Sequence, residues 1–117
     1  MKFQRFEDII AWQESIDLGV HIYSAFDGLK DRGFYDQITR AVLSISNNIS
    51  EGFDRRGDKE FHRFLKYARS SCSEVKSMTY FAKRLGYLSS TQFDCLIAEN
   101  EKVSKLIWGL IKYLKNQ

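Results

Sequence analysis

One apolar series, which runs without a break from residue 61 to residue 85, restricts the fold of this chain more than any other feature. Its members recur at every third or fourth position and are Phe61, Leu65, Ala68, Cys72, Val75, Thr79, Ala82 and Leu85. This spacing places them on one side of an α-helix. None of the 117 residues is proline, so no proline kinks or ends such a helix. The series predicts a helix over about residues 58–85, roughly 40 Å long at 1.5 Å per residue.

Similar series predict three further helices, over about residues 8–26, 36–52 and 90–115. The first contains Ile9, Trp12, Ile16, Gly19, Tyr23 and Phe26, and the last contains Phe93, Leu96, Val103, Ile107, Leu110 and Leu114. Asn100 interrupts the last series, where a polar residue can fix helix register. Four helices joined by short turns predict an all-α protein, an antiparallel up-and-down four-helix bundle that forms one domain over residues 1–117.

The ends of these helices carry local signals. Gly28 opens a polar turn after the first helix, and Asp58 is a predicted N-cap of the third. Gly86 stands where a left-handed residue usually ends a helix. Ser89 and Gln92 form the S-x-x-Q pattern of a capping box, which predicts the start of the fourth helix.

The second predicted helix lacks an ordinary solvent face. Its apolar stripe consists of Ile38, Ala41, Val42, Ile45 and Ile49, and a polar stripe beside it consists of Arg40, Ser44, Asn48 and Glu51. Arg40 and Glu51 are the only charged residues from position 37 to the glycine at position 52. Small neutral residues let another backbone approach closely, so we expect a neighbouring helix or a second copy of the chain to cover this stripe. The predicted packing motif is Arg40, Ser44, Asn48, Glu51 and Gly52.

Composition and charge runs limit the location of the chain and the chemistry of its cysteines. The longest uncharged stretch, residues 41–50, is ten residues long, half of the roughly 20 that cross a bilayer. The amino terminus is charged and lacks the apolar segment of a signal peptide. These features predict a cytoplasmic protein without a membrane contact. Cys72 and Cys95 lie on different predicted helices without metal-ligand spacing, so we interpret both as small buried hydrophobes.

Charge is sorted along the chain. Residues 1–54 carry five basic and nine acidic side chains, whereas residues 55–117 carry 13 and six, a net charge of −4 against +7. The strongest candidate site is a basic cluster on and before the third helix: Arg55, Arg56, Lys59, Arg63, Lys66 and Arg69. Such a face can follow the phosphates of RNA or DNA without reading bases. The alternative is a solvated helix face with salt bridges.

Two weaker candidates have simpler structural interpretations. A second set of basic residues comprises Lys102, Lys105, Lys112 and Lys115, and lysines near a helix carboxyl end also complement the helix dipole. Four aromatic residues could stack on unpaired bases, although aromatics at helical spacing more often belong to a core. They are Tyr35, Tyr67, Tyr80 and Trp108.

The sequence predicts no catalytic site, metal site or cofactor. It contains no phosphate-binding glycine loop, nucleophile elbow or HExxH motif. The pairs Asp17–His21 and Asp58–His62 have i, i+4 spacing but lack the inward Glu-x-x-His arrangement of bundle metal sites. Three serines at positions 70, 71 and 73 suit a close helix crossing rather than catalysis. An unfamiliar enzyme site built from Arg40, Asn48 and Glu51 is the weakest alternative.

The central motifs resemble a known family. The residues that carry the resemblance are Arg40, Ala41, Ser44, Ile45, Asn48, Ile49, Glu51 and Gly52, followed by Arg55, the KEFxRFLxxA run over 59–68 and the LGYL run over 85–88. Together with the amino-terminal FEDIIAWQ, they are similar to the bacterial four-helix-bundle family of 23S rRNA intervening-sequence proteins. The resemblance implies a ring-like homopentamer without an established enzymatic activity. A related branch, the accessory variability protein of diversity-generating retroelements, implies binding of nucleic acid and of a reverse transcriptase.

Charge sorting and the resemblance together predict a nonenzymatic homo-oligomer that binds RNA or DNA through the basic cluster. The alternative prediction is a scaffold or adaptor whose oligomeric surface binds a protein partner.

Overall fold

Four helices form an all-α, antiparallel up-and-down bundle in the computed structural model, which describes residues 3–116. A short 3-10 helix, Phe6–Asp8, precedes α1 (Ile10–Ala25), α2 (Arg32–Asp54), α3 (Asp58–Arg84) and α4 (Ser90–Lys115). Each helix packs against the next one in the chain, and α4 returns to pack against α1. The bundle measures 45 × 21 × 19 Å. The predicted fold class is confirmed.

The core face of α1 differs from the prediction. Its buried residues are Ala11, Ser15, Leu18 and Ile22, whereas Ile16 is 38% exposed and Val20 is 61% exposed. The predicted series lies roughly one residue, or 100°, around the helix from the true core face. Apolar residues cover two neighbouring faces of α1, and periodicity does not tell which one the other helices bury.

Helix α2 is longer than predicted at both ends. It begins at Arg32 because Asp31 acts as N-cap, with its Oδ1 accepting a hydrogen bond from the Phe34 amide at 3.2 Å. The polar turn after α1 is therefore shorter than the sequence indicated. The helix continues to Asp54, two residues beyond the glycine that was expected to end it.

The ends of α3 confirm one signal and correct two. Gly57 rather than Asp58 is the N-cap, and Asp58 is the first helical residue, where its charge complements the helix dipole. At the other end Gly86 has a φ of +78°, and the Tyr87 amide donates to the Ala82 carbonyl at 2.8 Å, as in a Schellman motif. Leu85, which was predicted in the core, is the C-cap and is 53% exposed.

Helix α4 starts as predicted. The Ser89 hydroxyl accepts from the Gln92 amide at 3.1 Å, and the Gln92 side chain accepts from the Ser89 amide at 2.9 Å. Asn100 is buried, and its Nδ2 donates to the Cys72 carbonyl of α3 at 2.9 Å. Cys72 is buried as expected, but Cys95 is exposed on α4, so the interpretation of both cysteines as core residues was wrong for Cys95.

Candidate nucleic-acid interface

The contact of α2 with α3 sets the orientation of the basic cluster, and it is closest at Gly52. A Cβ atom on Gly52 would lie 2.4 Å from the Cβ of Phe64 and 3.3 Å from Cδ1 of Phe61. Only glycine allows this approach, because real Cβ contacts are not that short. Gly52 therefore fits the packing part of the predicted motif within a single chain, and the crossing turns the Phe61 and Phe64 side of α3 inward.

A directed chain of hydrogen bonds reinforces the same contact. Asn48 Nδ2 donates to the Ser44 hydroxyl at 3.0 Å, and the Ser44 and Ser71 hydroxyls are 2.8 Å apart. Ser71 in turn donates to the Tyr67 carbonyl at 3.2 Å. Because Ser71 donates its proton to the Tyr67 carbonyl, Ser44 is the donor in the hydrogen bond between the two serines. Ser44 of the predicted motif thus links α2 to α3, and Asn48 supports it from within α2.

The two charged members of the motif lie differently. Arg40 is exposed, and the Glu51 carboxylate, also exposed, accepts from the Arg55 guanidinium at 3.3 Å. In the single chain this stripe is covered by α3 along Ser44 and Asn48 and open to solvent at Arg40 and Glu51. Coverage of the open part by a second copy stays a prediction.

The structure divides the basic cluster into two groups. The first group consists of Arg55, the C-cap of α2, and Arg63 of α3, and both contact Glu60. The Arg63 guanidinium donates to both Glu60 oxygens, at 2.8 and 3.0 Å, and Arg55 lies 4.0 Å from the same carboxylate. These arginines hold the pKa of Glu60 below its ordinary value, with the Arg63 hydrogen bonds as the largest cause. Both guanidinium groups also lie over the ring of Phe64, at 5.1 and 4.8 Å from its centroid.

The second group is free of such pairing. Lys59 and Lys66 are exposed on the outer face of α3, and neither forms a salt bridge within residues 3–116. Arg69 lies toward α4, where its Nε is 3.5 Å from the Ser104 hydroxyl. Arg56 is separate from both groups, in the turn between α2 and α3, with its guanidinium 5.2 Å from the centroid of Phe53. The predicted cluster therefore divides into arginines paired with Glu60 and lysines without a carboxylate partner in the described range.

Lys66 and Arg69 continue into a groove between α3 and α4, which we call the basic groove. It has a volume of about 840 Å³. Its basic and aromatic lining consists of His62, Lys66, Arg69, Lys76, Lys105, Trp108 and Lys115, with Glu101 as its acidic member. Short side chains, Ser70, Ser73 and Ser104, leave the space that the longer cations surround. Lysines from both predicted basic sets thus meet at one site.

Trp108 is the exposed aromatic residue of the groove. It is 42% exposed, and the Arg69 guanidinium lies 4.5 Å from the centroid of its ring. Tyr67 and Tyr80, at 46% and 51%, are exposed as well. The expectation that these three aromatics belong to the core was wrong, because each is exposed, although Tyr80 contacts Phe93 of α4 at a centroid distance of 5.1 Å and Trp108 contacts Arg69 of α3. Tyr35 is half-buried, in edge contact with Tyr23.

Sequence reasoning missed three features of the groove. Lys76, which pairs with Glu101 at 3.3 Å across α3 and α4, stood outside both predicted basic sets. Ser104 was not singled out either, because a lone serine between lysines carries no signal. The meeting of Lys66 with Lys105 and Lys115 depends on which faces of α3 and α4 are adjacent, which only the packing shows. By contrast, Lys102 is drawn to Glu14 of α1, 2.9 Å away.

Other reactive side chains near the groove do not form a site. Burial raises the pKa of the Cys72 thiol to about 12, so the thiol is protonated at neutral pH. His21 of the suggested pair with Asp17 instead contacts Glu99 at 2.6 Å. Within residues 3–116 there is no group of three His, Cys, Asp or Glu side chains that could hold a metal ion. No helix in that range is long and apolar enough to cross a membrane.

Comparison with known proteins places this chain in a family. The model of the 23S rRNA-intervening sequence protein family matches residues 7–109. The chain belongs to this family. The matched range includes the whole basic cluster and the groove through Trp108, so the family resemblance seen in the sequence is confirmed.

A solved structure shares the fold. It is the crystal structure of a protein with unknown function from the S23 ribosomal protein family of Bacteroides thetaiotaomicron VPI-5482, with a TM-score of 0.81 and 21% sequence identity. The similarity covers 88% of this chain and 96% of that one, and at this identity it establishes the fold alone. None of the curated proteins matches the chain.

Proposed function

We propose that this family member is a nonenzymatic, homo-oligomeric helical bundle that binds RNA or DNA through the basic face of α3. The observation that carries the proposal is the run of unpaired lysines from the outer face of α3 into the basic groove. Lys59, Lys66, Lys105 and Lys115 make no salt bridge within the described part of the chain. Ammonium groups without a carboxylate partner remain available for phosphates.

The paired arginines contribute less to this proposal. Arg63 is bound to Glu60 through two hydrogen bonds, and Arg55 shares the same carboxylate. A phosphate that engaged them would have to compete with Glu60. We therefore assign phosphate contacts first to Lys59, Lys66 and Arg69 of the predicted cluster, with Arg55, Arg56 and Arg63 at its margin.

The salt dependence of binding tests the phosphate contacts. The variant Lys59→Gln, Lys66→Gln, Lys105→Gln removes three unpaired cations without touching the core. On a single-stranded oligonucleotide each lost phosphate contact reduces the slope of log affinity against log salt by about 0.7. We expect the slope to fall by about 2 over roughly 50 to 200 mM salt, as measured by fluorescence anisotropy of a labelled strand.

A matched variant controls for net charge. Lys30→Gln, Arg32→Gln, Arg84→Gln removes three exposed charges away from the groove and should leave the slope unchanged. If both variants lower the slope equally, binding follows net charge rather than the basic face. If the wild-type protein binds neither a single strand nor an RNA hairpin, the proposed function is wrong.

Self-association rests on a different surface. One face of α1 exposes Ile16, Val20 and Tyr23, at positions i, i+4 and i+7, and α2 exposes Leu43. Apolar exposure of this kind is typical of protein contacts. The acidic first half and basic second half of the chain favour a head-to-tail arrangement, in which unlike surfaces meet and a ring closes. The copy number of five comes from the family resemblance.

Light scattering tests this assembly. The variant Val20→Glu, Leu43→Glu should reduce the molar mass to that of one chain while the helical circular dichroism is retained. Tyr113→Glu, at an exposed aromatic of α4, is the control and should keep the wild-type mass. A wild-type protein with the mass of one chain at micromolar concentration would contradict self-association.

A protein adaptor is the second candidate function, and one observation favours it. Phe81 is 63% exposed and Leu85 is 53% exposed near the carboxyl end of α3, away from the basic groove. Affinity capture in the presence of nuclease tests it, with Phe81→Ser, Leu85→Ser as the variant. A partner that survives nuclease and is lost with this variant supports the adaptor function, whereas a partner lost with nuclease alone was bound through nucleic acid.

A further inference from the structure

We infer that the basic groove binds an unpaired, single-stranded segment of nucleic acid, with a base stacked on Trp108 and phosphates on the surrounding lysines. The inference rests on the proposed function and specifies its ligand. It assigns a base-binding role to a tryptophan that the sequence placed in the core.

An exposed indole lies among cations in the basic groove. Trp108 retains 42% exposure, although it lies among long side chains that could have covered it. Arg69 lies 4.5 Å from its ring centroid, and Lys112 lies 5.9 Å away. The Arg69 guanidinium lies over the indole, so a base can extend this stack from the open face of either group, and both groups stack on bases. Cations around an aromatic platform are the arrangement that single-strand binding proteins use.

Within the described part of the chain, lysines without a carboxylate partner border the basic groove on both sides. The lysines that lack carboxylate partners, Lys66, Lys105 and Lys115, line the same groove as Trp108 and come from both helices. A duplex presents its phosphates on a convex surface and keeps its bases stacked inside, so it would contact the rim lysines but not Trp108. A flexible single strand can place phosphates on both rims and turn a base inward. The geometry therefore favours an unpaired strand over a duplex.

Serine hydroxyls in the basic groove are available for hydrogen bonds. Ser70, Ser73 and Ser104 line it; of these, only the Ser104 hydroxyl has a side-chain contact in the described residues, the long one to Arg69 at 3.5 Å. Hydroxyl groups can donate to phosphate oxygens or to base edges. They add adaptable polar contacts and no fixed preference for one base, so we expect weak sequence selectivity.

Tryptophan fluorescence tests the inference directly, because the chain has two tryptophans. The variant Trp12→Phe leaves Trp108 as the reporter, and Trp108→Phe leaves Trp12, which packs on Phe6 at a centroid distance of 5.2 Å. Two probes are compared: an oligouridylate and an abasic strand with the same number of phosphates. We expect oligouridylate to quench Trp108 but not Trp12, and the abasic strand to quench neither.

Affinity measurements complete the test. Trp108→Leu should weaken oligouridylate binding by about 5- to 150-fold, the range that corresponds to one lost base–aromatic stack. Its affinity for the abasic strand and its salt slope should not change. Trp108→Phe should restore part of the loss, since phenylalanine also stacks. Circular dichroism confirms that the variants fold.

The outcomes separate this inference from the proposed function. If oligouridylate and the abasic strand bind equally well and Trp108→Leu has no effect, the base-stacking site is wrong while phosphate binding stands. If a duplex quenches Trp108 as strongly as oligouridylate, the preference for unpaired strands is wrong. If neither strand binds the wild-type protein but an RNA hairpin does, the site is wrong and the proposed function stands; if the hairpin does not bind either, both fail.

Discussion

Helix α3 makes opposite contacts on its two sides. Toward α2, Gly52 brings the backbones so close that a single added carbon would lie 2.4 Å from Phe64. Toward α4, the same helix borders a groove of about 840 Å³. Serines occur on both sides, but Ser71 is bonded to α2 whereas Ser70 and Ser73 line open space. The comparison shows that short side chains close a helix contact where a residue of the facing helix fills the space, as Phe64 does at Gly52 and Ser44 does at Ser71. Where long cations face them, they leave a groove.

The largest expected effect comes from a substitution in the close contact between α2 and α3. Gly52→Ala places a Cβ against Phe64, and overpacking of this kind costs about 3 kcal/mol of unfolding free energy. Gly109→Ala is the matched control on α4, because a Cβ there meets nothing within 4 Å. We expect the control to gain about 1 kcal/mol from helix propensity. Urea unfolding measures both, and equal changes of the same sign would contradict the contrast between the two sides.

Asn100 offers a substitution that stabilises the open side. It is 3% exposed and lines the basic groove, and its Oδ1 accepts no hydrogen bond within residues 3–116. An unpaired buried acceptor costs about 1 to 3 kcal/mol, more than the bond from Nδ2 contributes. We expect Asn100→Leu to raise the unfolding free energy by about 1 kcal/mol, a net estimate from those two contributions. A loss of stability in urea unfolding would show that the amide is better satisfied than the geometry indicates.

Two serine-to-alanine substitutions make the same chemical change on the two sides of α3. Ser71→Ala removes the bond to Ser44 and should cost about 1 kcal/mol, the usual contribution of a partly buried hydrogen bond. Ser104→Ala removes only the long contact with Arg69 at 3.5 Å, so we expect no measurable change. Thermal unfolding followed by circular dichroism distinguishes the two variants. If Ser104→Ala is the more damaging, the groove is more tightly held than its geometry indicates.

The smallest expected effect is a loss of stability at low pH, and it arises at Asp31, which lies on neither side of α3. Asp31 accepts from the Tyr87 hydroxyl at 2.7 Å and from the Phe34 amide at 3.2 Å, and these bonds, the former first, lower the pKa of Asp31. Since the folded pKa lies below the ordinary 3.8, the contribution to stability is complete above that pH and is lost as pH falls through the folded value. Tyr87→Phe should therefore be less stable than wild type at neutral pH, with a difference that shrinks below about pH 3.8.

A matched tyrosine controls this acid experiment. Tyr113→Phe changes an exposed tyrosine of α4 that has no side-chain hydrogen bond within the described residues, and it should follow wild type at every pH. Acid titration of the unfolding midpoint supplies the comparison. A difference between Tyr87→Phe and wild type that is independent of pH would show that the carboxylate plays no part.

The fold could be predicted because its signals are local. Helical spacing through residues 61–85 and the capping box at Ser89 depend on neighbours in sequence, and the family motif lies within a short stretch. The core face of α1 could not be predicted, because Ile16 and Leu18 are equally apolar and only the position of α2 and α4 decides which is buried. Periodicity identifies a helix more securely than it identifies its buried side.

The candidate site was predictable only in part. Basic residues are visible in sequence, but the pairing of Arg63 with Glu60 depends on side-chain geometry. The joining of Lys66 with Lys105 depends on which faces of α3 and α4 are adjacent. Trp108 was misassigned because helical spacing suits a core residue and a rim residue alike. What the sequence lacks is the rotation of each helix about its axis, and that rotation decides which charges and aromatics share a groove.

Arg56 shows how tightly charge and backbone are tied together at the corner between α2 and α3. Its φ is +61°, a left-handed conformation that costs a non-glycine residue about 1 to 2 kcal/mol. Asparagine adopts it more easily. Replacing Arg56 with asparagine therefore relaxes the turn and removes a positive charge at the same time. A neutral residue at Arg55 removes a charge and leaves the turn unchanged. Comparing the two variants separates the effect of the backbone conformation from the effect of the charge.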